Sequence, residues 1–181
     1  YFDGSNDIVY SNSNYNLSSY NYIFVDMAFK AYNSTQIHLV FEHSQSWNSN
    51  NHGFGFAVHT DGGSPSLNEH HSNHYGGASQ NWNYSVGTGW AIYGSQFAKY
   101  GSNNRKQYMN GQIVDFDNGN QYSGNGTDFG NYVMYIGSRY GSVAPAKGYI
   151  GYVRVYGSSS PLSASTITSN YNAVKSRYGL T

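Results

Sequence analysis

The sequence predicts an all-β fold, a sandwich of two antiparallel sheets with a short C-terminal helix. Three observations carry that reading. Apolar residues alternate with period 2 along much of the chain, Gly, Asn, Asp and Ser clusters punctuate the alternation, and a 3.6-residue apolar stripe appears near the C-terminus.

The elements follow in order. In YIFVDMAFKAY (22–32), Ile23, Val25, Met27, Phe29 and Ala31 fall on one face, and Tyr22, Phe24, Asp26, Ala28 and Lys30 on the other. One buried and one amphipathic face is the pattern of a sandwich strand. TQIHLVFEH (35–43) repeats it with Ile37, Leu39 and Phe41 inward, and GFGFAVHT (53–60) with Phe54, Phe56 and Val58. GWAIYGSQFAKY (89–100), KQYMNGQIVDF (106–116), YVMYIGSRY (132–140) and GYIGYVRVY (148–156) read as further strands. Asn110-Gly111 is a two-residue hairpin signal, because a type I′ turn needs positive φ twice. The expected total is about eight to ten strands without interleaved helices. At the end, Ile167, Tyr171, Val174 and Tyr178 form a helical stripe. Ser163 is placed to cap it, Leu162 and Ile167 to staple it, and Gly179 to end it.

Composition narrows the function. With 181 residues the chain suits one domain, 1–181, with a substantial core. Nine basic residues balance nine acidic ones and only 10% of residues are charged. This excludes the clustered positive charge of a nucleic-acid surface and a polybasic membrane segment, and no apolar run is long enough to span a bilayer. Aromatics make up 18%, with 20 Tyr, which opposes disorder. The polarity resides in Asn, Ser, Gly and Tyr hydroxyls, the uncharged composition of many recognition surfaces and of proteins on a virion or cell exterior. There is no Cys, so neither a disulfide nor a thiolate is available. The sequence starts at Tyr1 without an initiator Met or a signal-peptide pattern, as expected of a processed product or an excerpt of a longer chain.

Four segments, in their order and spacing, resemble one family. YFDGSNDIV (1–9), IGSRYG (136–141), GYIGYVRVYGSSSPLSASTI (148–167) and NYNAVKSRYGL (170–180) resemble the laminin-G-like, concanavalin A-like lectin-glucanase domains. QYMNGQIV (107–114) is similar to the family's LYVNG hairpin, and together the matches cover roughly a third of the chain. The resemblance implies a jelly-roll of two curved sheets with first and last strands adjacent, then a turn and a short helix. The family commonly has Glu in the first helical turn, where this chain has Thr166. Its members bind glycans or proteins, or are appended to secreted enzymes, adhesins and virion proteins. The Asn- and Tyr-rich style is similar to virion copies.

The same architecture hosts glycoside hydrolases, whose retaining mechanism needs two carboxylates about 5–5.5 Å apart, as an E-x-D-x-E strand supplies. Here the two Glu, 42 and 69, lie in separate segments. Asp115 and Asp117, which share a face, read as turn chemistry beside Asn118-Gly119, or as a metal or glycan contact. The chain is therefore expected not to be an enzyme.

Binding residues are sought elsewhere. Trp47 and Asn48 in one polar segment, and Trp82, Asn83 and Tyr84 in another, combine flat rings for a pyranose with amides for its hydroxyls. They read as ligand-binding residues or as caps over the sandwich ends. No cofactor is certain. Calcium, which the family resemblance implies, has loop candidates in Asp3, Asp7, Asp61 and Asp128. His70, His71 and His74, beside Glu69, are candidates for a transition metal, for a solvated Gly-flanked loop, or for a pH-sensitive or ligand-facing edge. His38, Val40 and Glu42 share the expected outward face of 35–43, with His59 on a neighbour, as groove lining or polar sheet surface.

The reading is a non-catalytic module on a virion surface or otherwise extracellular, attaching to a glycan or surface protein, with neither nucleic acid nor membrane insertion. The alternative is a decoration or assembly domain packing on virion subunits or on copies of itself. A glycoside hydrolase is a distant third.

Overall fold

The computed structural model describes residues 1–32, 37–44, 53–59, 69–74, 89–99, 106–115, 128–138 and 145–181, with the backbone alone at 37–39, 56–59, 69–74 and 115. Among these, the strands are β1 (Phe2–Asp3), β2 (Val9–Tyr10), β3 (Tyr15–Asn16), β4 (Tyr22–Ala31), β5 (Ile37–His43), β6 (Phe54–His59) and β7 (Glu69–His74). They continue with β8 (Trp90–Ala98), β9 (Lys106–Met109), β10 (Gln112–Asp115), β11 (Asn131–Tyr132), β12 (Met134–Ile136) and β13 (Lys147–Ser158). Helix α1 (Ala164–Asn172) and a 3-10 turn (Lys175–Tyr178) follow.

One sheet has six strands in the order β1-β13-β4-β8-β9-β10, the other five in the order β2-β12-β5-β6-β7, and β11 and β3 form a separate ribbon. Every pairing is antiparallel. The first strand lies against the last, as the resemblance implies. The thirteen described strands exceed the expected count because four of them are two-residue pairings, too short to show an alternation.

The core lies between the two sheets. Ile23, Val25, Met27, Phe29 and Ala31 of β4 supply its centre, joined by Val40, Phe41, Phe54, Tyr93, Phe97 and Phe129. The other face of β4 is buried too, rather than amphipathic, because the C-terminal segment lies across it. Phe24 packs with Tyr108 and Ile167, and Ala28 with Ile92 and Tyr171. Burying Ile167 and Tyr171 stabilises by about 1.5–3 kcal/mol each. Asp26, 4% exposed, is held under this helix by Arg154, whose Nε donates to Oδ1 at 2.9 Å and whose Nη2 donates to Oδ2. Burial pushes the Asp26 carboxyl up from its ordinary range, and the guanidinium pulls against that.

Local signals position these pieces. Ser163 caps α1, accepting the Thr166 N–H at 3.1 Å, and Leu162 packs with Ile167 as the expected staple. The helix ends earlier than its stripe, however. Gly179, at φ 66°, caps the 3-10 turn instead of α1. Asn110 (φ 51°) and Gly111 (φ 77°) form the predicted hairpin turn between β9 and β10. Asn110 Oδ1 accepts the Ile92 N–H at 2.9 Å, tying the turn to β8.

Two expectations are corrected. The pairing of β5 with β6 shifts between Leu39 and Phe41, so Val40 is a bulge residue. Val40 and Phe41 both lie in the core, and Glu42 is fully buried, so His38, Val40 and Glu42 do not form one exposed face. Residues 69–74 are not a loop but the edge strand β7, held to β6 by the backbone ladder without apolar alternation. His70 and His74 share one face of β7 and His71 has the other. The register instead sets Glu69 opposite His59, with His71 on Glu69's face.

Candidate functional site

The five-stranded sheet has one face toward the core and one away from it. A transverse row pairs Val9, Ile136 and Phe41, and Phe41 is in the core. The next row pairs Tyr10, Tyr135 and Glu42, so Tyr10 and Tyr135 face away from the core, with Glu42 buried beside them. There Ile8, Tyr10, Ser11, Asn12, Val133 and Tyr135 line an open groove of about 430 Å³. The size is that of a small-ligand site.

Ser11 fixes the wall of this groove. Its N–H donates to the Met134 carbonyl at 3.0 Å, its Oγ accepts the Met134 N–H at 3.1 Å, and the same hydroxyl donates to the Ser13 carbonyl at 2.8 Å. The Tyr10 and Tyr135 rings are 6.4 Å apart and inclined by 40°, and Tyr10 is 63% exposed. None of the six lining residues is an Asp, Glu, Lys, Arg or His. Two ring faces, an exposed amide and hydroxyls favour an uncharged surface of CH groups and hydroxyls over an ion.

Beside the groove stands a buried histidine. His43 closes β5 in the row next to Tyr135, paired with Met134 on one side and Phe54 on the other. Its Nε2 donates to the Tyr15 carbonyl at 2.9 Å, which fixes the tautomer because a carbonyl only accepts. The ring lies 5.1 Å from that of Phe54 and 5.6 Å from that of Tyr132. Nδ1 has no hydrogen-bond partner among the described residues. Burial pushes the imidazole down to about 4, despite the opposing pull of the backbone at Tyr15, Tyr132 and His43. His43 is thus a neutral strut between β5 and the β3–β11 ribbon.

The residues expected to bind ligand lie outside the described residues: Trp47 and Asn48 within 45–52, and Trp82, Asn83 and Tyr84 within 75–88. Their anchors are described. Ser44 and Gly53 bound the first segment and touch, since a Cβ on Gly53 would meet Ser44 Cβ at 2.3 Å. Ser44 follows β5, the neighbour of the groove strand β12, and Gly53 precedes β6, one strand further from it. The second segment runs from His74 to Gly89. His74 pairs with Phe54, whose ring meets Phe97 at 4.8 Å, whereas Trp90 begins β8 seven residues away from Phe97.

Of the calcium candidates, Asp3 and Asp7 share one turn. Asp7 accepts the Asp3 N–H at 2.6 Å and Asp3 accepts the Ser5 N–H at 2.7 Å. Asp128 is ion-paired with Lys99, and Asp61 lies outside the described residues. Among the described residues no three His, Asp or Glu side chains gather as metal ligands. Asp115 ends β10, and Asp117 lies outside the described residues. No helix among the described residues is long and apolar enough to cross a membrane.

Sequence reasoning passed over Tyr10, Ser11, Asn12 and Tyr135. The signal was present, since Tyr10-Ser11-Asn12 repeats the aromatic-beside-amide pattern of the Trp47 and Trp82 segments.

No family model matches this sequence, and no curated protein matches it. Solved structures do. The native heptameric SAP-like pentraxin from Limulus polyphemus aligns with a TM-score of 0.68 at 13% identity, over 92% of this chain and 78% of that one. The CBM40 module of the Ruminococcus gnavus IT-sialidase, bound to α2,3-sialyllactose, aligns with a TM-score of 0.62 at 13% identity, over 93% of this chain and 96% of that one. The binding domain of the botulinum neurotoxin of serotype G gives 0.60 at 11% identity, over 97% of this chain and 47% of that one. At such identities the likeness concerns the fold, and the chain has the jelly-roll β-sandwich of these lectin-like domains.

Proposed function

We propose that this chain is a non-catalytic, laminin-G-like glycan-binding module, one domain over 1–181, displayed on a virion surface or otherwise outside a cell for attachment. The observation that carries the reading is the outer-face groove, with two inclined tyrosine rings, Asn12 and Ser11, and an uncharged lining. A pyranose offers one face of CH groups and a rim of hydroxyls, and the groove offers ring faces and uncharged hydrogen-bonding groups. The sialyllactose-bound CBM40 structure supports the reading at the level of fold. Trp47 and Asn48, in the segment that follows Ser44 at the end of β5, the neighbour of β12, extend the contact in this scheme, and Trp82, Asn83 and Tyr84 supply a further part of it.

The test is an immobilised glycan array that includes sialyllactose and neutral plant and microbial oligosaccharides, probed with the wild type, Tyr10→Ala and Tyr135→Ala. Binding by the wild type, weakened about tenfold or more in either variant (1.4 kcal/mol per decade), is expected. A blank array with folded protein overturns the reading. A blank accompanied by self-association in solution favours the assembly alternative.

A further inference from the structure

The six-stranded sheet has its own outer aromatic surface. Across it, the register sets Tyr149, Lys30 and Trp90 in one row, on β13, β4 and β8. This row shares the face of Ala28 and Ile92, the face on which the C-terminal segment lies. From there a run of rings reaches solvent. Tyr178 lies 4.8 Å from Trp90, Trp90 6.4 Å from Tyr149, Tyr149 5.0 Å from Tyr1, and Tyr1 6.3 Å from Tyr32, edge to face. Tyr178 and Trp90 are half-buried, whereas Tyr1, Tyr32 and Tyr149 are 62%, 52% and 41% exposed. Each exposed ring is braced by the next, so the surface is ordered before anything binds, which lowers the entropic cost of binding.

Three features define what this surface fits. A fully buried aromatic side chain removes about 150–250 Å² from water, so three partly exposed rings offer a few hundred Å². That is well below the roughly 800 Å² that each partner contributes to a standard protein interface. The surrounding charges balance, with Lys30 and Lys147 set against Asp3 and Asp7, and both carboxylates bonded to backbone amides. The exposed groups are flat faces edged by phenol hydroxyls, and the Lys147 ammonium lies 5.7 Å from the Tyr32 ring centroid.

We propose that Tyr1, Tyr32 and Tyr149 form a second carbohydrate platform, on the opposite face of the sandwich from the Tyr10–Tyr135 groove, that stacks an uncharged pyranose. This rests on the glycan-binding reading. One chain then engages two sugars on opposite sides and bridges polysaccharide strands.

The experiment uses the full chain with arabinan, mannan and β-glucan, each as polymer and as trisaccharide. The wild type is expected to turn at least one polymer solution turbid and to bind the matching trisaccharide. Tyr149→Ala and Tyr32→Ala are expected to abolish the turbidity and to lose the trisaccharide about tenfold or more, while leaving any binding that Tyr10→Ala removes. The inference is overturned if both variants match the wild type against every neutral sugar. It also falls if the neutral panel is blank while the array shows Tyr10-dependent binding, and then the groove reading stands. A blank in both the array and the panel overturns both.

Discussion

The buried His43 gives a stability prediction with a worked magnitude. An unfolded chain takes up the imidazole proton near pH 6.5, whereas the folded chain resists until about 4. Because the folded-state value is depressed, the contribution is fully present above 6.5 and is lost as pH falls toward 4. Each unit in that window costs about 1.4 kcal/mol, so the whole descent removes about 3 kcal/mol. The structural reason is that protonation places a charge in a buried site between the Phe54 and Tyr132 rings, where lost hydration outweighs the pull of the nearby backbone carbonyls. Urea unfolding of the wild type and His43→Phe should be followed from pH ~7 to ~4. The variant loses the bond to the Tyr15 carbonyl, about 1 kcal/mol at any pH, and no longer titrates at this position. The other histidines are the same in both proteins, so the difference isolates His43. The wild type should be the more stable at neutral pH and lose that lead, then fall behind, as pH drops. A difference that stays flat across the window refutes the assignment of His43 as a neutral buried strut.

Two further substitutions test the packing of the C-terminal segment. Arg154→Met leaves Asp26 buried without its guanidinium and should cost about 2–3 kcal/mol, the lower end because the Arg154 side chain is 29% exposed. The deficit should shrink at acid pH, where the carboxyl is neutral, as read by chemical denaturation at two pH values. Gly111→Ala combines a φ of 77° with a Cβ 2.8 Å from Tyr171 Cβ and should cost about 2 kcal/mol, a fall in Tm of about 4–8 °C. Gly179→Ala, at φ 66° with nothing within 4 Å, carries the backbone strain alone and should cost about half as much in the same melting experiment.

How far the sequence could be read varied with the kind of signal. β4 was legible because its core residues alternate without interruption from Ile23 to Ala31. The Asn110-Gly111 turn and the Ser163 cap were legible because each rests on local backbone chemistry. The β5 bulge was not, since an extra residue at Val40 leaves the apolar composition unchanged while breaking the alternation of faces. Nor was β7, whose Glu69-His70-His71-Ser72-Asn73-His74 lacks any apolar residue and is a strand only through its partner. The Tyr10–Tyr135 groove is the product of register between residues 125 positions apart, and no local pattern announces such a pairing.

The place of β13 has a consequence for how the chain reaches this fold. β13 lies between β1 and β4, so the two flanking strands meet only through a partner more than a hundred residues downstream of either. Closing that separation costs conformational entropy before any ladder bond repays it. Until residues 147–158 leave the ribosome, β4 has one flank without its native neighbour, and both of its faces are built to be buried. Folding is therefore expected to be late and slow during synthesis, with the Tyr22–Ala31 segment as the stretch most in need of shelter from other nascent chains.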